Sequence, residues 1–522
     1  MTAASTPPPR LWVDIDDLVD YLEHHDRPSG IQRVVHELSQ ALVRCAAGRV
    51  GFIRRGTDAR DLRTLDWDHV DGLFRDAMGR PERPQVAPDA APEAPVQAVP
   101  EDAGDGAAPD LQDVPAAARP GPVPGAGDAV SGLQPAATGP ARMVRLQVAV
   151  FGGMARAALA IGRHGVGSMQ VAVAGRRARR REHARLAREP ASLATFEEAP
   201  GPQPRASLRS LLPPGTPLRE VARPGDVFIT LGAPWHHADY GGIVRHLRDD
   251  LRLRFALLMY DLVPVRHPEW CDRGMSKTYE AWHDTILPLV DELFAISNAT
   301  ARDIAAYLDE YRIEPPPIRA IGLGTGFSGT AMTPMSSRPI VEGRYVLFVS
   351  TIEARKNHTL LFRVWRRLLA ELPADEVPTL VFAGREGWLV ADLMRQLDNT
   401  DWLDGRIRFV RNPSDADLHR LYDDCLFTVF PSLFEGWGLP VTESLGMGRP
   451  CIASNTTSIP EAGGTLARYF NPYDLHDAYR VIRDAILDRD GLARWTETVR
   501  AEFRPVPWDH SAGAILQTLG IG

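Results

Sequence analysis

Two carboxylates and a cationic pair are the residues of this chain best suited to chemistry. Glu435 and Glu443 stand eight positions apart in the run FPSLFEGWGLPVTESLGMGRPCIASNTTSIPEAGG. Glu435 opens a Gly-rich turn, Gly436-Trp437-Gly438-Leu439, and Glu443 falls inside the helix that the turn begins. Pro440 suits the first helical turn, where its missing N–H is harmless. The N–H groups near Gly438 and Leu439 then form a cradle for an anion or a hydroxyl. Upstream, at the edge of another predicted strand, lies Glu353-Ala354-Arg355-Lys356-Asn357. The Lys356 ammonium could neutralise a diphosphate, and Arg355 could instead grip one bidentately. The plainer reading is a basic pair at a helix entry with Asn357 as its cap. Cations, bare N–H groups and carboxylates together suit a ligand carrying both a diphosphate and sugar hydroxyls.

The elements that would position these residues alternate between strand and helix. In the first part, strands are expected over Leu11 to Ile15, Asp226 to Thr230, Phe255 to Tyr260 and Glu292 to Ser297. Asn298-Ala299-Thr300 is expected to cap a helix from Ala301 to Leu308. Pro28-Ser29-Gly30-Ile31-Gln32-Arg33 leads into a helix through Val34, Val35, Leu38, Leu42 and Val43, whose apolar positions recur at helical spacing. Gly30 leaves room for a ligand to approach backbone N–H groups. In the second part, strands are expected at Tyr345 to Ser350, Leu380 to Ala383, Ile407 to Val410, Leu426 to Phe430 and Cys451 to Ser454. Helices are expected at Thr359 to Leu372, Asp415 to Cys425, Val441 to Leu445 and Leu475 to Leu487. This alternation argues for two α/β domains, each with a mostly parallel sheet covered on both faces. The boundaries read as 1–330 and 341–504, with the helix in 505–522 returning to the first domain. A Pro- and Ala-rich stretch at about 79–141 breaks the pattern and reads as a disordered insertion. Strand-like sequence resumes at Met143 to Val150.

Composition bounds the function. The 522 residues include 44% hydrophobic ones, enough for two cores, and the formal net charge is −8, which argues against a nucleic-acid partner. The four cysteines are far apart and lack metal-ligand spacing, so no metal site and reduced thiols are expected. The start MTAASTPPPR carries no apolar leader, and no apolar run reaches the roughly eighteen residues of a spanning helix. A cytoplasmic protein is expected. The basic segment Gly175 to Arg188 is either a solvated helix face or a peripheral contact with anionic lipid of the inner membrane.

The stretches FVSTIEARKN and LFTVFPSLFEGWGLPVTESLGMGRPCIASNTTSIPEAGG resemble the sugar-donor domain of family 4 retaining GT-B glycosyltransferases. Glu435 and Glu443 match that family's E-x7-E pattern. The resemblance implies that Glu443 binds the ribose and Lys356 the diphosphate. It implies Glu435 beside the transferred sugar, with the amides of Gly436, Trp437, Gly438 and Leu439 on sugar or phosphate. Phe409, Val410 and Arg411 would lie by the base, and Gly30 would approach the phosphate from across the cleft. Where many members carry Gly-Arg after the first strand, this chain has Ser350-Thr351, a form similar to bacterial polysaccharide enzymes, often mannosyltransferases. Arg355 is the candidate replacement for that arginine.

On the acceptor side, Asp261 and His267 in Tyr260-Asp261-Leu262-Val263-Pro264-Val265-Arg266-His267 could face either sugar or be satisfied within their loop. His283 reads as structural. The reaction expected from the resemblance is metal-independent retaining transfer of a hexose, with mannose favoured. The sugar donor would be a nucleoside diphosphate sugar, with a GDP-sugar favoured, and the acceptor a glycan or lipid-linked glycan. No cofactor is expected. The alternatives are sugar-nucleotide isomerisation or epimerisation, glycoside hydrolysis by the Glu pair, and non-catalytic glycan or nucleotide binding.

Overall fold

The computed structural model describes residues 8–25, 28–56, 60–79, 208–326 and 339–522. All but the first residue of the expected insertion, the expected strand Met143 to Val150 and the basic segment Gly175 to Arg188 lie outside the described residues. Two sheets organise the rest. The first has the order β3-β2-β1-β4-β5-β6-β7, with β1 Leu11–Asp14, β2 Val50–Arg55, β3 Leu62–Leu65, β4 Val227–Thr230, β5 Arg254–Met259, β6 Glu292–Ala295 and β7 Ile318–Ala320. The second has the order β10-β9-β8-β11-β12-β13, with β8 Tyr345–Val349, β9 Thr379–Gly384, β10 Ile407–Arg411, β11 Thr428–Phe430, β12 Cys451–Ser454 and β13 Arg468–Phe470. Every pairing is parallel except β2 with β3, which forms an antiparallel edge. Both sheets reverse their strand order once, at β1/β4 and at β8/β11. Each is therefore a Rossmann-like sheet, and the pair has the GT-B plan.

The strand sequences explain this two-sided burial. Leu11 and Val13 enter one apolar layer of the first lobe while Trp12 enters the other. Val346, Phe348, Leu380 and Phe382 face one layer of the second lobe, and Tyr345, Leu347, Val381 and Ala383 the other. Successive side chains point to opposite faces, so a continuous apolar run suits a parallel sheet covered on both sides. The helix His358–Glu371 buries Leu360, Leu361, Val364, Trp365 and Leu368 against the second sheet, a stripe at helical spacing.

Several elements depart from the sequence reading. The strands β2, β3, β7 and β13 and the helices Trp67–Gly79 and Arg489–Glu502 were not expected. Of these strands, β3, β7 and β13 lie at sheet edges, and β7 and β13 are only three residues long, too short to show a period. The helix expected from Ala301 runs instead over Asn298–Tyr311, capped by Ser297, whose Oγ accepts from Thr300 N–H at 3.0 Å. Asn357 does not cap the next helix through its side chain. Its backbone is left-handed at φ 60, and its Nδ2 donates to the carbonyls of Pro431 and Pro472 at 3.3 and 3.1 Å.

The last helix, Trp508–Leu519, packs into the first lobe. Trp508, Ala512, Ile515, Leu516 and Leu519 join Val34, Val35, Leu38 and Leu42 in one buried cluster. The Trp508 indole lies over Gly324 and donates to the Gly326 carbonyl at 2.8 Å. Trp508→Ala is expected to cost about 3–5 kcal/mol, the range for emptying a buried aromatic site. Urea unfolding measures this, and an unchanged midpoint would show that this docking contributes nothing.

Candidate functional site

The second lobe's functional side chains converge because β8 and β11 are neighbours at the point where strand order reverses. Arg355 and Lys356 follow β8 in a short 3-10 turn, Ala354–Lys356. Glu435 follows β11 in the Gly-rich turn. The Lys356 Nζ stands 2.6 Å from Glu435 Oε1, and Arg355 Nη1 stands 2.8 Å from Glu435 Oε2. Arg355 Nη2 also donates to Glu353 Oε1 at 2.7 Å, and Nη1 donates to the Phe434 carbonyl at 2.6 Å. The Arg355 fork is thus engaged by protein on both prongs. The Lys356 ammonium carries three N–H donors, and Glu435 is its one hydrogen-bond partner among the described residues.

Glu435 is 9% exposed. Burial alone would push its carboxyl up, but Arg355 and Lys356 overcome that and hold it at about 2. The reciprocal effect acts on Arg355, whose burial is outweighed by Glu435 and Glu353, so its guanidinium is held more firmly protonated. The turn itself is tied down from behind. Glu435 N–H donates to Thr457 Oγ1 at 3.0 Å, and Ser458 Oγ donates to the carbonyls of Glu435 and Trp437, each at 2.8 Å.

One glycine shapes this turn and another lets the lobes meet. Gly438 has φ 124, a backbone that side chains rarely tolerate. A Cβ on Gly436 would collide with the Tyr260 carbonyl oxygen of the first lobe. The helix Leu439–Gly446 starts at this turn, and the N–H groups of Gly438 and Leu439 have no protein acceptor among the described residues. Gly30 of the first lobe approaches Leu439, whose side chain lies 4.0 Å from where a glycine Cβ would stand. Trp437 and Leu439 also pack against the first lobe's buried cluster.

Asp261 belongs to the same neighbourhood. Burial raises its carboxyl most, while Arg355, the Val263 N–H and Lys356 pull it down and Glu435 pushes it up. Its Oδ1 accepts from Val263 N–H at 3.0 Å. His267 stands at the rim, stacked on Trp270 with centroids 4.2 Å apart, and its ring is 5.2 Å from that of Phe434. Its Nδ1 lies 3.0 Å from Glu269. Arg266 is committed elsewhere, to Asp303 and Glu310 at 2.9 and 2.7 Å. His283 is buried and without a hydrogen-bond partner among the described residues, and its burial lowers its imidazole to about 3, so it is a neutral core group.

Glu443 forms a second focus, one turn along the helix. The Tyr422 hydroxyl donates to its Oε2 at 2.8 Å. Burial raises its carboxyl, opposed by that hydrogen bond and by the charge of Arg33. Arg33 crosses from the first lobe to pair with Asp415 at 2.6 Å. Val410 packs against the layer containing Leu421 and Tyr422, whereas Arg411 lies over the Phe409 ring at 4.4 Å and pairs with Glu386 at 3.4 Å. Among the described residues, no three His, Cys, Asp or Glu side chains are grouped to hold a metal ion, and no helix is long and apolar enough to cross a membrane.

Sequence reasoning gave no interlobe role to Arg33, Asp415, Thr300 or Glu461, all of which act across the seam between lobes, although Thr300 was placed in the expected cap. It gave no role to the carboxyls at the first lobe's own switch point. There Asp17 Oδ2 accepts from Ala233 N–H at 2.9 Å, and the Tyr240 hydroxyl donates to Asp14. Burial, then the charge of Asp14, raises Asp17 to about 7, against the Ala233 and Leu18 N–H groups. Asp14 is raised to about 6 by burial, with the Tyr240 bond and Arg55 opposing.

Comparison with known proteins bears on the second lobe most directly. The family described as Glycosyl transferases group 1 matches residues 336–502. The chain is similar to the serotype-specific mannosyltransferase WbdA of Escherichia coli, 24% identical over 278 residues, which cover 51% of this chain and 33% of that protein. It is 31% identical over 166 residues to the O-antigen chain mannosyltransferase B of Escherichia coli, covering 32% of this chain and 43% of that one. A third relative is the GDP-mannose:cellobiosyl-diphosphopolyprenol alpha-mannosyltransferase of Komagataeibacter xylinus, 27% identical over 191 residues, covering 35% of this chain and 44% of that one. The chain thus spans less than half the length of each of these curated relatives. The second lobe is related to those of bacterial glycosyltransferases.

The depressed carboxyl of Glu435 gives a signed pH dependence. Its folded value of about 2 lies below the ordinary 4.5. The ionised cluster therefore stabilises the fold above the ordinary value, and that contribution disappears as pH falls through the folded one. Glu435→Gln should be less stable than the parent at neutral pH, and the gap should narrow steadily as pH drops from about 4.5 toward 2. Urea midpoints across that window test it, and a gap independent of pH would contradict the ion cluster.

Proposed function

We propose that this chain is a family 4-type retaining glycosyltransferase. It would move a hexose, with mannose favoured, from a nucleoside diphosphate sugar to a glycan or lipid-linked glycan. The observation that carries this reading is the Lys356–Glu435–Arg355 cluster at the second sheet's switch point, within electrostatic reach of Asp261 of the first lobe. Open α/β sheets bind ligands at such points. In this reading Lys356 takes the diphosphate, because it has N–H groups to spare, and the Gly438 and Leu439 amides add to the same anion site. Arg355, already engaged on both prongs, holds Glu435 in place beside the sugar. Glu443 accepts from the ribose diol, Val410 and Arg411 lie by the base, Gly30 closes on the phosphate, and Asp261 and His267 face the sugars.

The front-face route asks for stabilisation of the leaving diphosphate rather than a protein base. Atoms balance without a nucleophile from the protein: the bond from sugar carbon to phosphate oxygen breaks, the acceptor oxygen bonds to that carbon on the same face, and the acceptor proton passes to the departing phosphate. A carboxyl held at about 2 is a poor proton donor near neutral pH, which disfavours Glu435 as a hydrolase acid. Metal independence, a cytoplasmic location and peripheral contact with the inner membrane belong to the same proposal. The preference for a GDP-sugar draws support from the Komagataeibacter xylinus relative, whose name specifies GDP-mannose.

A thermal-shift panel of GDP-, UDP- and dTDP-sugars identifies the sugar donor. Release of nucleoside diphosphate that depends on an acceptor then supports transfer, and sugar-nucleotide interconversion without any acceptor overturns it. Lys356→Ala should lower kcat/KM by about 2–4 kcal/mol of transition-state stabilisation, and an unchanged value would remove its phosphate role. Glu443→Ala should chiefly weaken nucleotide binding in calorimetry, and equal affinity in variant and parent would reject the ribose contact.

A further inference from the structure

Glu461 carries a role that the proposed site does not use. It sits in the short second-lobe helix Ile459–Gly463. Its carboxylate reaches into the first lobe, to the start of the helix Asn298–Tyr311. Oε2 accepts from the Asn298 N–H at 2.8 Å and from Asn298 Nδ2 at 3.0 Å, and Oε1 accepts from the Ala299 N–H at 2.7 Å. Arg302 of the same helix lies 3.7 Å away. A helix leaves its first N–H groups without internal partners and carries partial positive charge at that end. Here a carboxylate from the opposite lobe satisfies two of them.

The contact leads directly to the reacting groups. Thr300, one residue beyond Ala299, accepts at Oγ1 from Ser297 Oγ at 2.9 Å. Its own hydroxyl proton is shared between the Tyr260 carbonyl at 3.3 Å and the Gly436 carbonyl at 3.2 Å. Tyr260 precedes Asp261, and Gly436 follows Glu435. At this point the lobes are so close that only glycine fits at 436. Hydrogen bonds at either end of the short backbone stretch Asn298-Ala299-Thr300 thus connect Glu461 to the residues beside Asp261 and Glu435.

We propose that Glu461 is a positioning residue that fixes the register of the two lobes, and through Thr300 the separation of Asp261 from Glu435. This deepens the transferase reading and rests on it, since that reading places a sugar between those two carboxyls. The nucleotide contacts assigned to Lys356 and Glu443 lie within the second lobe, so they survive when the register is lost, and only the Gly30 approach from the first lobe is given up. The latch therefore acts on turnover and on lobe closure far more than on nucleotide affinity.

The test uses the full chain with Glu461→Ala, Glu461→Gln, Glu461→Asp and Thr300→Val. The probe is whichever of GDP, UDP or dTDP raises the parent's melting temperature. Small-angle scattering with that nucleotide should show a larger radius of gyration for Glu461→Ala and Glu461→Gln than for the parent. Turnover should fall by about a hundredfold, the scale of a small misplacement of reacting groups, with nucleotide Kd within about twofold of the parent. Glu461→Asp, which keeps the charge, should recover part of the loss, whereas Glu461→Gln, which presents an NH2 group to N–H donors, should not. Thr300→Val should lose turnover with the nucleotide site intact. An unchanged radius and unchanged kcat would overturn the proposal, and so would a loss of nucleotide affinity parallel to that of kcat. A parent that transfers no sugar would sink the functional reading, while scattering would still decide whether Glu461 holds the lobes together.

Discussion

A buried carboxylate needs cations, and the Glu435 cluster meets that need with groups brought from two different strands. Desolvating an ion costs several kcal/mol unless partners surround it. Arg355 and Lys356 come from the segment after β8 and Glu435 from the segment after β11. These segments are separated by 79 positions in sequence and become neighbours only because strand order reverses between them. The sheet topology is thus a precondition for the charge pattern. With Glu353 included, two carboxylates balance two cations. Those four side chains are neutral as a unit.

That neutrality separates the two cations functionally. A guanidinium has a fixed fork, and both prongs of Arg355 are engaged by Glu353, Glu435 and a backbone carbonyl. An ammonium is a point charge on a flexible stem and can reorient toward a second anion while keeping its first. The sequence alone left open which cation would grip a phosphate. The choice depends on what else each touches, and those partners are far away in the chain. The proposed division of labour, with Arg355 orienting and Lys356 binding, follows from that geometry.

Much of the second lobe was legible because its strands are continuous apolar runs and its helices have clear stripes. Cys451–Ser454 and Leu475–Leu487 have the bounds that periodicity suggested. Edge strands such as Arg468–Phe470 were not legible, since three residues with one buried side carry no period. Local chemistry misled at Asn357 and at Asn298, both good capping types. At the first the chain turns through a left-handed residue, and at the second Ser297 already caps the helix. Interlobe groups were the least legible. Arg33 meets Asp415 across 382 positions and Asn298 meets Glu461 across 163, and no spacing rule reaches that far. Glu461 stood in a recognisable segment, yet nothing local said that its partner was a helix of the other lobe.

The two switch points differ in electrostatic character. The second lobe's holds two cations with a carboxylate they keep ionised, and the first lobe's holds Asp14 and Asp17, both raised toward neutral pH. The Lys356 ammonium, free to turn toward a second anion, suits the charged leaving group of the proposed reaction. The Gly436 turn lies between the two switch points, held to Tyr260 through Thr300. The turn that presents Glu435 is thus also the surface on which the first lobe rests.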